Sequence, residues 1–181
     1  MIKDSQYFLS RLYTEEVYRR NFFSNRQAFY NSENIQDKEL TFFLEQLKEE
    51  QINFFAKGLL SKRWHTIKNL MPVSTELMKN LEAEFNKFSN DFLPTGVHKH
   101  HIDALAFIRY LLKLSMFKDP LIRSVLNFEA DIINNFLRPK TWRLKRYYFD
   151  PFLIKDQSKN IKRSATLVLW KKGVIPNSYI I

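Results

Sequence analysis

Leu77, Leu81, Phe85, Phe88 and Phe92 follow one another at intervals of four, four, three and four residues, a spacing that lines up on one face of an α-helix and on no face of a strand. With Ser74 ahead of it as N-cap and Pro94 and Gly96 behind it, this predicts a helix from Ser74 to Phe92. The same period recurs along the chain. Phe8, Leu12, Tyr13 and Val17 predict a helix from Asp4 to about Asn21, capped by Asp4 or Ser5, and a polar stretch from Ser24 to Gln36 reads as a loop. Leu40, Phe43, Leu44 and Leu47 mark a second helix from Asp37, and Ile52, Phe55, Leu59, Ile67 and Leu70 a third over Gln51–Leu70, stopped by Pro72. After a basic loop, Gly96 to His101, Leu105, Ile108, Leu111 and Leu112 predict a helix from Ile102 to Phe117. Asp119-Pro120 then supplies a cap followed by proline at the first helical position, and Leu121, Val125, Phe128, Ile132 and Phe136 form the last stripe, closed by Arg138-Pro139.

Beyond Pro139 the period changes. Arg143–Phe149 and Ser164–Trp170 are short aromatic and β-branched runs that read as strands, and Lys171-Lys172-Gly173 reads as a turn leading into Val174-Ile175, with Pro176 ending that segment or confining it to an edge. The expected fold is α+β: a six-helix body over residues 1–139, then a small antiparallel sheet of two or three strands over 140–181 packed on it. Thr166, Val168 and Trp170 fall on one face of their strand and Ala165, Leu167 and Leu169 on the other. A sheet this small offers an open edge, which is where an extended peptide adds a strand.

Charge follows the same division. Residues 138–181 carry eleven Lys or Arg against Asp150 and Asp156, +9 of the formal +10, while residues 1–137 carry eighteen against seventeen. A near-neutral body with a basic end suits a negative partner, whether an acidic peptide, an acidic protein face or nucleic acid. The basic and aromatic run Trp142, Arg143, Lys145, Arg146, Tyr147, Tyr148 also fits the pattern of single-strand nucleic-acid binding, although no helix-turn-helix, ribonucleoprotein or zinc-finger signature accompanies it.

Several chemistries lack their parts. The chain has no Cys, so no disulfide, thiolate zinc site or cysteine nucleophile, and three Gly leave no phosphate-cradling loop. No apolar run approaches the roughly 20 residues of a membrane span, and Met1-Ile2-Lys3-Asp4-Ser5 reaches charge at once, so a cytoplasmic protein without membrane contact is expected. His98-x-His100-His101-x-Asp103 is the one imidazole cluster, yet its spacing is not that of two ligands on a helix, and no metal is assigned to it. His65 reads as a surface or interface residue, and Glu129 and Asp131 as solvated or salt-bridged surface acids. No acid–base pair stands out, and no catalytic residue is identified.

The order Lys62-Arg63-x-x-x-Ile67-x-x-Leu70-Met71-Pro72-x-Ser74-Thr75, then Leu77-x-x-x-Leu81-x-x-x-Phe85, then His101-x-Asp103-Ala104-x-Ala106-Phe107-x-x-Tyr110-Leu111, with Leu12-Tyr13-Thr14 and Arg19 to Phe23 before it, resembles a family of small helical partner proteins encoded in bacterial peptide-modification clusters. In size and in its C-terminal strands the chain is most similar to the methanobactin-biosynthesis C proteins (MbnC). The resemblance covers most of residues 7–135 and rests on packing motifs. It implies a non-catalytic subunit that joins a TIM-barrel, multinuclear non-heme iron oxidase as a heterodimer and binds the leader of a ribosomally made precursor peptide, whose cysteines the complex converts with oxygen to the oxazolone and thioamide groups of a copper chelator. Iron would belong to the partner and no cofactor to this chain. On this reading Arg163, Thr166, Leu167, Val168, Leu169 and Trp170 are the expected peptide-binding residues, and Arg143, Arg146, Tyr147, His100 and His101 the expected partner interface.

Overall fold

The computed structural model describes residues 2–114, 117–137, 142–150 and 163–171. Among them are nine helices and one two-stranded sheet: α1 (Ile2–Thr14), α2 (Glu16–Ser24), α3 (Arg26–Ser32), α4 (Lys38–Glu45), α5 (Glu49–Leu70), α6 (Pro72–Leu77), α7 (Leu81–Asp91), α8 (Lys99–Lys113), α9 (Pro120–Leu137), β1 (Trp142–Phe149) and β2 (Arg163–Lys171). The mostly helical fold with a small antiparallel C-terminal sheet is as expected, and the number of helices is not. The anticipated Lys171-Lys172-Gly173 turn and the Val174-Ile175 segment lie outside the described residues, as does the boundary at 139.

Two of the three extra helices come from chain breaks that periodicity does not register, and the third from a stretch expected to be a loop. The stretch expected to be a loop contains α3, whose N-cap Asn25 accepts from the Ala28 N–H (3.0 Å) and whose Phe29 and Tyr30 are buried. A single polar side chain at the cap is enough to start a helix where composition alone suggests a loop. Residues 2–24 also divide, at Glu15, into α1 and α2. The long helix expected from Ser74 is broken at residues 78–80, where Asn80 adopts a left-handed φ of 65°, a conformation that Asn tolerates better than most residues. Ser74 is not its N-cap either: Pro72 occupies the first turn of α6, the position proline favours, and Ser74 lies inside the helix.

The chain divides into two compact units, Met1–Arg63 with Ser89–Leu93, and Trp64–Phe88 with Pro94–Ile181. The first is organised by aromatic contact. Phe22 and Phe29 meet edge to face at 5.1 Å, Tyr18 and Phe29 at 4.9 Å, and Phe8 and Phe29 at 6.4 Å, around buried Leu12, Leu40, Leu44 and Ile52. Val17 and Phe55, expected on buried stripes, are exposed. Arg26 closes this unit from the side, donating to the carbonyls of Leu44 (3.0 Å), Glu45 (2.7 Å) and Leu47 (2.6 Å). It thereby satisfies acceptors at the end of α4 that the helix itself leaves open.

In the second unit α9 is central, packing against α8, α6 and β1. Its start is as the sequence predicts: Asp119 accepts from the Leu121 N–H (2.7 Å) and the Ile122 N–H (3.3 Å), with Pro120 next in the chain. Its buried face keeps Val125 and Phe128 of the expected stripe, with Leu121 packed beside them, and departs from it further along the helix. Ile132 and Phe136 are exposed, while Ser124, Val125, Leu126, Phe128, Glu129, Asp131 and Ile133 are buried, because a helix with neighbours on three sides buries more than one stripe.

Candidate functional site

Strands β1 and β2 pair antiparallel with Arg143 opposite Trp170, Lys145 opposite Val168 and Tyr147 opposite Thr166, and the register shifts between Tyr147 and Phe149. Alternation then sends Tyr147, Phe149, Thr166, Val168 and Trp170 to one face, where all are buried. Phe128 of α9 is the ring they gather around, with centroids at 5.2 Å to Tyr147, 5.8 Å to Phe149 and 5.7 Å to Trp170. Val125, Val73, Leu77 and Leu121 complete this core.

A carboxylate locks the sheet to the helix. Asp131 Oδ2 accepts from the Tyr147 hydroxyl at 2.7 Å, which itself accepts from the Trp170 indole N–H at 3.2 Å. Asp131 Oδ1 pairs with the Arg143 guanidinium at 2.8 Å, and Lys145 Nζ stands 3.9 Å from Oδ2. Burial, followed by the adjacent Asp131 carboxylate, pushes the Tyr147 hydroxyl pKa upward. The hydroxyl therefore stays protonated and remains a donor. A second tie is made by Ser124, whose Oγ accepts from the Tyr148 N–H at 2.8 Å.

Two residues earlier on α9, and so on the other side of the helix, Glu129 reaches a different neighbour. Its carboxyl accepts from the Val73 N–H (2.8 Å), the Ser74 N–H (3.2 Å) and the Ser74 hydroxyl. Burial raises its pKa to about 7, against the opposing effect of those donors. Glu129 and Ser74 are 1% and 0% exposed, so this acid is sealed between α6 and α9 and serves as a staple, out of reach of a substrate. Both acids expected at the surface are thus buried. The sequence signal that could have found Asp131 is its place three residues after Phe128, on the face that meets the strands.

The outer face of the sheet is different. Leu144 is 62% exposed and Tyr148 56%, Arg146 is exposed with its guanidinium 6.0 Å from the Tyr148 ring, and Leu167 and Leu169 are half-buried. Among the described residues each strand has one partner, the other. What this arrangement offers chemically is a two-stranded ribbon with a rigid back and an apolar, basic front.

Of the expected peptide-binding residues, Leu167 and Leu169 lie on that front, while Thr166, Val168 and Trp170 point into the core and can meet a peptide through backbone alone. Arg163 pairs in register with Phe149, and its side chain lies outside those described. Of the expected interface residues, Arg146 is exposed, Tyr147 is core, and Arg143 is turned to Asp131. His100 is exposed in the first turn of α8. His101 stacks on Phe136 (4.2 Å, 14° between planes), with His98 edge-on to the same ring at 5.7 Å. Burial and then the charges of His98 and His100 lower the His101 pKa. This trio sits near the C-terminal end of α9, apart from the strand contacts at Ser124, Phe128 and Asp131. Among the described residues no group of three or more His, Asp or Glu is placed to hold a metal ion, and no helix is long and apolar enough to cross a membrane.

No family model, curated protein or solved structure matches this chain.

Proposed function

We propose that this chain is a cytoplasmic, non-catalytic adaptor: the partner subunit of an iron-dependent peptide-modifying oxidase, presenting the leader of a ribosomally made precursor peptide so that its cysteines are converted to oxazolone and thioamide groups of a copper chelator. The observation that supports it most is the asymmetry of the C-terminal sheet. Its inner row is immobilised by Phe128 and Asp131, so the strands are ordered before any peptide arrives and little ordering cost remains at binding. The peptide adds alongside a strand through main-chain hydrogen bonds, with Leu144, Tyr148, Leu167 and Leu169 covering its apolar side chains and Arg146 meeting its carboxylates.

Nucleic acid is the rival occupant of the basic end. Arg143 and Lys145 already face Asp131, which leaves fewer cations on this face for phosphate than the sequence count suggests. Co-expression with the neighbouring genes, affinity capture of this chain, mass spectrometry of what accompanies it and iron analysis of the complex test the reading. An iron-bearing barrel protein in equal amount, together with the precursor, is the expected result. Recovery of a metal-free chain carrying nucleic acid, released steeply by salt, is the result that would replace the adaptor with a nucleic-acid-binding regulator.

A further inference from the structure

The first unit carries an open cleft of about 210 Å³, lined by the end of α1, by α2, by α5 and by residues 89–93. Within Met1–Arg63 and Ser89–Leu93 ten Lys or Arg balance ten Asp or Glu, yet the cleft is lined by Arg19, Lys57 and Arg63 against Glu16 alone. Positive charge is therefore concentrated in one concavity of a neutral unit. Two of the cations are also tethered: the Arg19 guanidinium donates to the Leu12 carbonyl (2.9 Å) and that of Arg63 to the Phe92 carbonyl (2.6 Å), contacts that hold both side chains in place. Lys57 is exposed and, among the described residues, makes no ion pair.

One wall continues as an apolar strip outside the cleft. Tyr13 lines the cleft and packs on Phe55 at 5.7 Å, and Phe55 packs on Phe54 at 6.0 Å. Phe54 is 75% exposed and Phe55 56%, and Leu59, one turn further along α5, is also exposed. An occupant confined to the cleft would leave this strip in water, so the surface fits something longer than a small acid.

We propose that this cleft and strip form a second docking site, for an acidic peptide segment that carries an aromatic or large aliphatic side chain beside its carboxylate. The carboxylate seats against Arg19 and Lys57, and the neighbouring side chain lies over Tyr13, Phe55 and Leu59, a pairing of charge and apolar area that inorganic phosphate would not exploit. The site involves no residue of the C-terminal sheet, and it stands or falls independently of the adaptor reading.

The test is fluorescence polarisation of a dye-labelled, end-capped heptapeptide alternating Glu with Phe, titrated with the full chain. Saturable binding is expected, weakened about tenfold, or roughly 1.4 kcal/mol, by Arg19→Glu with Lys57→Glu, and several-fold by Phe55→Ala. Lys57→Glu alone, which breaks no hydrogen bond or ion pair among the described residues, keeps the test informative if the Arg19 change disturbs the fold. Leu144→Lys on the sheet should leave binding intact. The proposal is overturned if the peptide does not bind, if the charge reversals change nothing, or if a peptide with Gln in place of Glu binds equally. It is overturned as well if Leu144→Lys abolishes binding, which would move the site to the sheet, or if phenylacetate displaces the peptide at equal concentration, which would make the cleft a small-acid site.

Discussion

In the first unit Tyr18 and Phe22 each meet the ring of Phe29 edge to face, whereas beneath the sheet the rings of Phe128, Tyr147 and Trp170 close around a carboxylate. Among the described residues the buried hydroxyls of Tyr18 and Tyr30 have no hydrogen-bond partner, and Arg26, which lies over Phe22 (4.9 Å) and Phe23 (5.5 Å), spends its guanidinium on carbonyls at and just beyond the end of α4. The Tyr147 hydroxyl, by contrast, has both a donor and an acceptor. An aromatic core of the first kind is held by area and shape and tolerates changes of polarity at its margins. A core of the second kind fixes one register, because a slip of a single residue would carry Tyr147 and Trp170 to the opposite face and leave Asp131 buried without partners. That is the property a two-stranded ribbon needs if it is to receive a third strand in one alignment.

The contrast can be broken most severely by removing its central groups. Phe22→Ala should cost about 4 kcal/mol through the cavity it leaves, and Asp131→Ala about 3 kcal/mol by leaving Arg143 and the Tyr147 hydroxyl unpaired. The two are separable by probe. Trp64, Trp142 and Trp170 all belong to the second unit, so tryptophan fluorescence should report an early transition in Asp131→Ala, while in Phe22→Ala the early loss should appear in helical circular dichroism. A fluorescence transition unchanged by Asp131→Ala would show that the carboxylate does not hold the sheet.

Next in size is the pH dependence of Glu129. A carboxyl whose pKa is raised from 4.5 to about 7 on folding is better tolerated protonated in the native state. Its contribution is therefore fully present below about pH 4.5 and is lost as pH rises toward 7, a swing of order 3 kcal/mol. Denaturant titrations across that range should show stability falling with pH, and Glu129→Gln should remove much of that slope. An unaltered slope in the variant would place the titrating group elsewhere.

Smaller still is the hydroxyl comparison. Tyr147→Phe should destabilise by about 1–2 kcal/mol, because Asp131 and the Trp170 N–H both lose a partner, while Tyr30→Phe should be neutral or stabilising by up to about 1 kcal/mol, since it removes an unsatisfied hydroxyl. Equal costs at the two positions would erase the distinction between the cores. Smallest of all, Leu144→Lys on the outer face should change stability by no more than about 0.5 kcal/mol and yet weaken capture of the precursor peptide about tenfold.

Much of this was legible in the sequence, and the exceptions have physical causes. The Asp119-Pro120 start of α9, the end of α5 ahead of Pro72 and the alternation of β2 follow from local chemistry, and all are found. The α3 helix was missed because its helical signal is one Asn25 cap and two aromatic residues within seven, too short for a period to show. Glu129 and Asp131 were misplaced because an acid reads as a surface residue until its partners are known, and Ser74, Arg143 and Tyr147 are brought to them only by tertiary packing. The expected stripe of α9 holds at Val125 and Phe128 and fails at Ile132 and Phe136 for the same reason, since all have the right spacing and only the neighbours on α6, α8 and β1 decide which positions are covered. The sheet's front was legible in part: Leu167 and Leu169 were separated correctly from the inward row, but the commitment of Arg143 to Asp131 was not visible.

The measurement that bears most directly on the adaptor reading is hydrogen–deuterium exchange of this chain, alone and after co-expression with its precursor peptide and neighbouring gene products. The account predicts that peptide capture slows exchange in residues 142–149 and 163–171, where an added strand would supply main-chain hydrogen bonds, and that this protection is lost in Leu144→Lys. Unchanged exchange in both strands while the peptide remains bound would contradict it.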